Sequence, residues 1–226
     1  MDNALYEKKV TCPVCKNEIS VTKVKIKSIR IVSRDTDLCV NYEGVNPLLY
    51  EPIVCESCGY ATLSDKFGEI NAREIMNVRT QITSRWIKHS YAGERDIDKA
   101  IEAYKITLLN YQARDMNPSD IAKVCIRIAW LYRLKKDEKE KHFLQCALDA
   151  YNDTYYRETF SSGKLDEATC MYMIAELNRR LGNNSESIKW FSRLISSPEA
   201  KKNKALVEQA RDIFMSMKEK MIKPEA

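Results

Sequence analysis

Two pairs of cysteines constrain this chain more than anything else in it: Cys12-Pro13-Val14-Cys15 and Cys55-Glu56-Ser57-Cys58-Gly59. A Cys-x-x-Cys turn places two thiols on one side, with backbone amides turned toward the sulfurs. Two such turns complete a tetrahedral four-sulfur shell suited to one zinc ion, with iron as the alternative. At 8 cysteines in 226 residues, chance placement gives only about 0.3 such pairs per chain. The 39 residues between the pairs exceed the usual ~15–20. Doubling a loop costs only ~0.6 kcal/mol, whereas a structural zinc supplies ~10–16 kcal/mol. The gap is therefore expected to hold an inserted β-hairpin. Gly59 suits the positive backbone angle that follows such a turn. Lys16 holds the matching place in the first turn and suits it less well. The alternative is four reduced structural thiols.

A closed four-cysteine shell leaves no position for substrate or water. It is expected to staple a segment too small to fold on its own core. The other cysteines divide into two kinds. Cys39 follows Arg34-Asp35-Thr36-Asp37 and is either a small buried residue beside an ion pair or an exchangeable thiol near the metal. Two acids spaced i, i+2 more often hold an arginine than form a catalytic site. Cys125, Cys146 and Cys170 fall on helical faces and are expected in the core.

The chain changes character near residue 72. Residues 19–33 are rich in β-branched residues, and Lys23, Lys25 and Lys27 alternate with Val24 and Ile26. That period of two predicts a strand with one basic face. Shorter extended pieces are expected around 38–42 and 50–54. Beyond residue 72, breakers fall at Gly93, Asn117-Pro118, Ser162-Gly163, Gly182-Asn183-Asn184 and Ser197-Pro198. They delimit helices at about 71–91, 97–114, 118–135, 138–157, 165–181, 184–196 and 202–222. The last carries Leu206, Ala210, Ile213, Phe214, Met217 and Met221 at helical spacing. Residues 168–199 and 122–151 read as helix pairs similar to tetratricopeptide repeats, with a generic helical bundle as the alternative. The expected fold is α+β: a small zinc-ribbon-like β module at 1–72, then an all-α tetratricopeptide-like repeat domain at 73–226.

The segments CPVC (12–15), KVKIKSIRIVSRDTDLC (23–39), NYEGVNPLLY (41–50) and VCESCGYA (54–61) resemble an uncharacterised bacterial family, the domain-of-unknown-function family numbered 2225. AWLYRL (129–134) and RRLGNNSESIKWFSRLIS (179–196) extend the likeness over nearly the whole chain. The resemblance implies a zinc-ribbon-like start followed by tetratricopeptide-like helices, and no activity. The family's Arg-Asp-x-Asp-x-Cys segment maps to Arg34, Asp35, Asp37 and Cys39.

Three functions compete. The first is a non-enzymatic scaffold that takes a protein or peptide along a helical groove. Lys123, Arg133, Tyr172, Arg179 and Arg180 are its candidate contacts to an acidic segment, with a solvated face as the alternative. The second is nucleic-acid binding through the basic stretch 23–34 and the helical surface. Charge argues against it: residues 1–72 carry 9 Lys and Arg against 10 Asp and Glu, while residues 73–226 carry 28 against 22. The β module is therefore the acidic part, and its basic stretch lacks the interleaved aromatics that stack on bases. The third is an enzyme. There are two histidines, His89 and His142, and no GxGxxG, GxxxxGK[ST], HExxH or GxSxG. A non-enzyme is expected, with no small-molecule substrate. No stretch approaches ~18 apolar residues and the N-terminus has no apolar signal core, so a cytoplasmic protein without a membrane partner is expected.

Overall fold

The computed structural model describes residues 4–160 and 165–222. The Ser162-Gly163 breaker and the side chain of Met221 lie outside the described residues. The architecture is α+β, with short antiparallel strands first and helices after. Strands β1 (Leu5–Thr11) and β2 (Glu18–Val24) pair from Leu5↔Val24 to Thr11↔Glu18. Strands β3 (Arg30–Arg34) and β4 (Val40–Glu43) pair with a bulge between Ile31 and Ser33. Strands β5 (Pro52–Val54) and β6 (Ala61–Leu63) form a third hairpin. The middle hairpin is the insertion expected between the two cysteine turns.

The single strand expected over 19–33 is instead two. β2 ends at Val24, and Lys25 N–H still reaches Ala4 C=O at 2.8 Å. A 3-10 turn at Ile26–Ser28 redirects the chain into β3.

Seven helices follow among the described residues: α1 (Ala72–Gln81), α2 (Ile97–Ala113), α3 (Pro118–Lys135), α4 (Lys139–Arg157), α5 (Glu167–Arg180), α6 (Asn184–Ser196) and α7 (Lys204–Ile222). Side-chain caps set several starts. Asn71 and Glu74 form a reciprocal box at α1. Asp96 accepts from Lys99 N–H at 2.7 Å at α2. Asp166 accepts from Thr169 N–H at 2.8 Å at α5. The helix expected over 71–91 stops at Gln81, and Thr83–Arg85 tightens into a 3-10 turn that redirects the chain.

The chain divides into two compact units. The first comprises residues 1–116 and 123–140, so the composition change near residue 72 falls inside it. Its β-side core gathers Cys12, Val14, Ile19, Val21, Ile53, Cys55, Cys58 and Tyr60, with Val78 of α1 packed in. The second comprises residues 117–122 and 141–226. There α5 and α6 form a helix pair joined at Leu181-Gly182, where Gly182 has φ 86°. Tyr172 and Phe191 are both fully buried and meet edge to face at 5.8 Å between centroids. Helix α7 adds Leu206, Val207 and Ala210 to the buried set. No described helix is long and apolar enough to cross a membrane.

Candidate metal centre

Each Cys-x-x-Cys is the turn of a hairpin. In the first, between β1 and β2, Lys16 N–H donates to Cys12 C=O at 2.9 Å and Cys12 N–H to Asn17 C=O at 2.9 Å. In the second, between β5 and β6, Gly59 N–H donates to Cys55 C=O at 2.8 Å and Cys55 N–H to Tyr60 C=O at 2.8 Å. The two turns use the same bonds at the same offsets. Both also need a left-handed residue at the fifth place: Gly59 has φ 73° and Lys16 has φ 65°. Lys16, the weaker match in the sequence, adopts the glycine-like angle, because the hairpin bonds on either side fix it there.

The sulfurs converge. Cys12 Sγ lies 3.8 Å from Cys58 Sγ, and Cys15 Sγ lies 3.6 Å from Cys55 Sγ. All four ligand atoms lie within 4.8 Å of one another. These separations are too long for disulfides, at about 2.05 Å. They fit the edge of a tetrahedron around a zinc with Zn–S of about 2.3 Å, which is about 3.8 Å. Cys12, Cys55 and Cys58 are buried and Cys15 is half-buried. The four thiols could therefore hold a metal ion.

The electrostatics of Cys12 and Cys58 pull in opposite directions. Hydrogen bonds from Cys55 and Cys58 hold the Cys12 thiol down at about 4 against the cost of burial, helped by the amides of Cys15 and Val14. The hydrogen bonds that Cys58 makes to Cys12 and Cys55, and its burial, push Cys58 up in return. A divalent cation removes that conflict, because thiolates and not thiols are its ligands.

The helical part of the first unit locks both turns from outside. Arg79 donates to Val14 C=O at 2.8 Å. Thr83 Oγ1 donates to Cys58 C=O at 2.9 Å and Trp86 Nε1 to Glu56 C=O at 2.7 Å. Asn110 of α2 donates to Gly59 C=O at 3.0 Å. The Trp86 ring lies over Gly59, so a Cβ added there would sit 2.5 Å from its Cε3. Sequence reading missed these four residues. None lies at a recognisable offset from a cysteine, and only the tertiary fold brings them in.

The Arg34–Cys39 segment does something else. Asp35 N–H donates to Cys39 C=O at 2.8 Å and Leu38 takes φ 68°, which closes a tight loop. The arginine it holds is Arg133 of α3, distant in sequence. Arg133 donates to Asp35 Oδ2 and Asp37 Oδ1, each at 3.1 Å, to Asp37 Oδ2, and to Glu140 at 2.7 Å. Trp130 Nε1 adds a bond to Asp37 at 3.1 Å. Burial opposes the Arg133 charge, but Asp37 and then Glu140 outweigh it and raise its pKa. The Asp37 side chain is fully buried. Cys39 is buried beside this ion pair, with its N–H 3.4 Å from Asp37 Oδ1. It is not among the four clustered sulfurs. Arg34 stays exposed at the end of β3.

The expected partner contacts are mostly committed within the chain. Lys123 holds Asp65 at 2.7 Å, and Arg133 is held as described. Arg179 and Arg180 both hold Glu176, at 2.7 and 2.9 Å. Tyr172 cannot face a groove: it is fully buried, because the inner face of α5 packs on α6. In the basic stretch, Lys23 is half-buried in β2, where burial and then Lys8 lower its pKa. Cys125 and Cys170 are buried as expected, and burial pushes Cys170 up to about 12. Cys146 is only half-buried.

Comparison with curated proteins and with solved structures found no match. A family model described as an uncharacterized protein conserved in bacteria, DUF2225, matches residues 5–217, and the chain therefore belongs to that family.

Proposed function

We propose that Cys12, Cys15, Cys55 and Cys58 hold one structural zinc ion, and that the protein is a non-enzymatic, cytoplasmic scaffold for a protein or peptide partner. The sulfur geometry carries the metal half: four thiols at tetrahedral-edge separations on two matched hairpin turns. Four sulfurs fill every tetrahedral position, so the ion's role is to join the two ribbon-like hairpins and to organise the helices that grip them. Zinc content of protein purified without added metal tests this half. About one equivalent is expected, lost in Cys55→Ser; a metal-free protein that folds equally well would overturn it.

The scaffold half rests on the α5–α6 pair, which supports a tetratricopeptide-like reading. On it, buried Glu176 pins Arg179 and Arg180 side by side, with their side chains 33% and 21% exposed. An acidic segment would meet these part-exposed guanidinium groups at the surface. Affinity capture from native lysate, with and without nuclease, tests it. Protein capture that survives nuclease and falls in an Arg179→Ala, Arg180→Ala variant supports the scaffold. Capture abolished by nuclease would assign the protein to nucleic acid instead.

A further inference from the structure

The inserted hairpin lies between the two cysteine turns. All five residues of β3 are exposed. Three of the large apolar residues that the chain leaves in solvent lie within seven positions of one another: Ile26 at 86% exposed, Ile31 at 63% and Val32 at 67%. Scattered exposed aliphatics need no explanation, but a local concentration of them does. Residues 25–34 carry four cations, Lys25, Lys27, Arg30 and Arg34, and no acid. Glu43 lies 3.9 Å from Arg30.

We propose that this hairpin and its leading 3-10 turn dock on an anionic lipid surface, with Ile26, Ile31 and Val32 entering the interface and the four cations meeting the headgroups. The chemistry favours a bilayer over other occupants. Nucleic acid would be met by aromatic or planar groups rather than by aliphatic tips. A strand added at the β3 edge would meet the bulge at Ile31–Ser33, a device that blunts such edges. A fluid interface needs neither a groove nor a regular edge. It needs exposed apolar side chains ringed by positive charge. The lack of a spanning helix bears on crossing a membrane, not on resting against one. The proposal goes beyond the scaffold reading and does not depend on what the partner of the helices is.

The test is sedimentation of the full-length, metal-loaded protein with vesicles in which about one lipid in three is phosphatidylglycerol, against vesicles of phosphatidylcholine alone. Binding to the anionic vesicles only is expected, weakening as salt is raised. An Ile26→Ser, Ile31→Ser, Val32→Ser variant should bind at least tenfold more weakly, with an unchanged thermal midpoint because all three side chains are exposed. Arg30→Glu with Arg34→Glu should weaken binding at least as much. No binding to anionic vesicles overturns the proposal. So does binding that survives the serine changes, which would be charge adsorption alone. So does a dimer, or retention of poly-glutamate, that the serine changes abolish while vesicles are ignored.

Discussion

Gly59→Ala tests how tightly the second cysteine turn is held. Two costs add. The residue sits at φ 73°, and a left-handed backbone costs a residue with a Cβ about 1–2 kcal/mol. The new methyl would also lie 2.5 and 2.6 Å from Trp86 Cε3 and Cδ2. Ordinary contact requires the indole to retreat by close to 1 Å, and its 2.7 Å bond from Nε1 to Glu56 C=O then stretches or breaks. Losing that bond costs about 1 kcal/mol. The expected destabilisation is about 3 kcal/mol, read by denaturant unfolding of the zinc-loaded protein followed by circular dichroism. Tryptophan emission should shift as Trp86 leaves its place. A loss under about 0.5 kcal/mol with unchanged emission would refute the reasoning, since a surface substitution costs no more than that.

Three further outcomes follow from the same geometry. Lys16→Gly should stabilise the loaded protein by about 1 kcal/mol, because Lys16 already holds φ 65° and glycine adopts that angle freely; unfolding midpoints of the two proteins check it. Asp37→Ala should cost about 3 kcal/mol, because it removes the fully buried carboxylate from Arg133 and from the Trp130 N–H, again by denaturant unfolding. Hydrogen bonds from Ser20 and Thr22 hold the Glu7 pKa below its ordinary value. A depressed acid stabilises the fold above its unfolded pKa and loses that effect as pH falls through the folded one. Glu7 is exposed, so solvent screening keeps the effect small: Glu7→Gln should cost about 0.3 kcal/mol at pH 7, and the difference should vanish once the pH drops below the folded pKa, as thermal melts across pH would show.

Much of this was legible in the sequence where the signal is local. The spacing within each cysteine pair located both turns, and helix periodicity with its breakers placed α2, α3 and α6 to within a residue of where they lie. What escaped was set by partners far along the chain. The stretch 19–33 keeps one alternating pattern, yet it bends after Val24, where the 3-10 turn at Ile26–Ser28 redirects it. The polar run of β1 itself carries no pattern that would mark it as a strand before its pairing with β2 is known. The acids at 35 and 37 announced an arginine but not which one; Arg133 is chosen by the fold. The same choice removes Arg133 from the surface role that its place on a helix suggested. Tyr172 failed for a related reason: a helical pattern in a repeat does not say which of two faces turns inward until the neighbouring helix is placed.

The central claim is that four sulfurs and nothing else surround one zinc ion. Zinc-edge X-ray absorption of the purified protein measures that directly. Four sulfur neighbours at about 2.3 Å are expected; a nitrogen or oxygen neighbour in the shell, or fewer than four sulfurs, would contradict the closed structural centre on which the account stands.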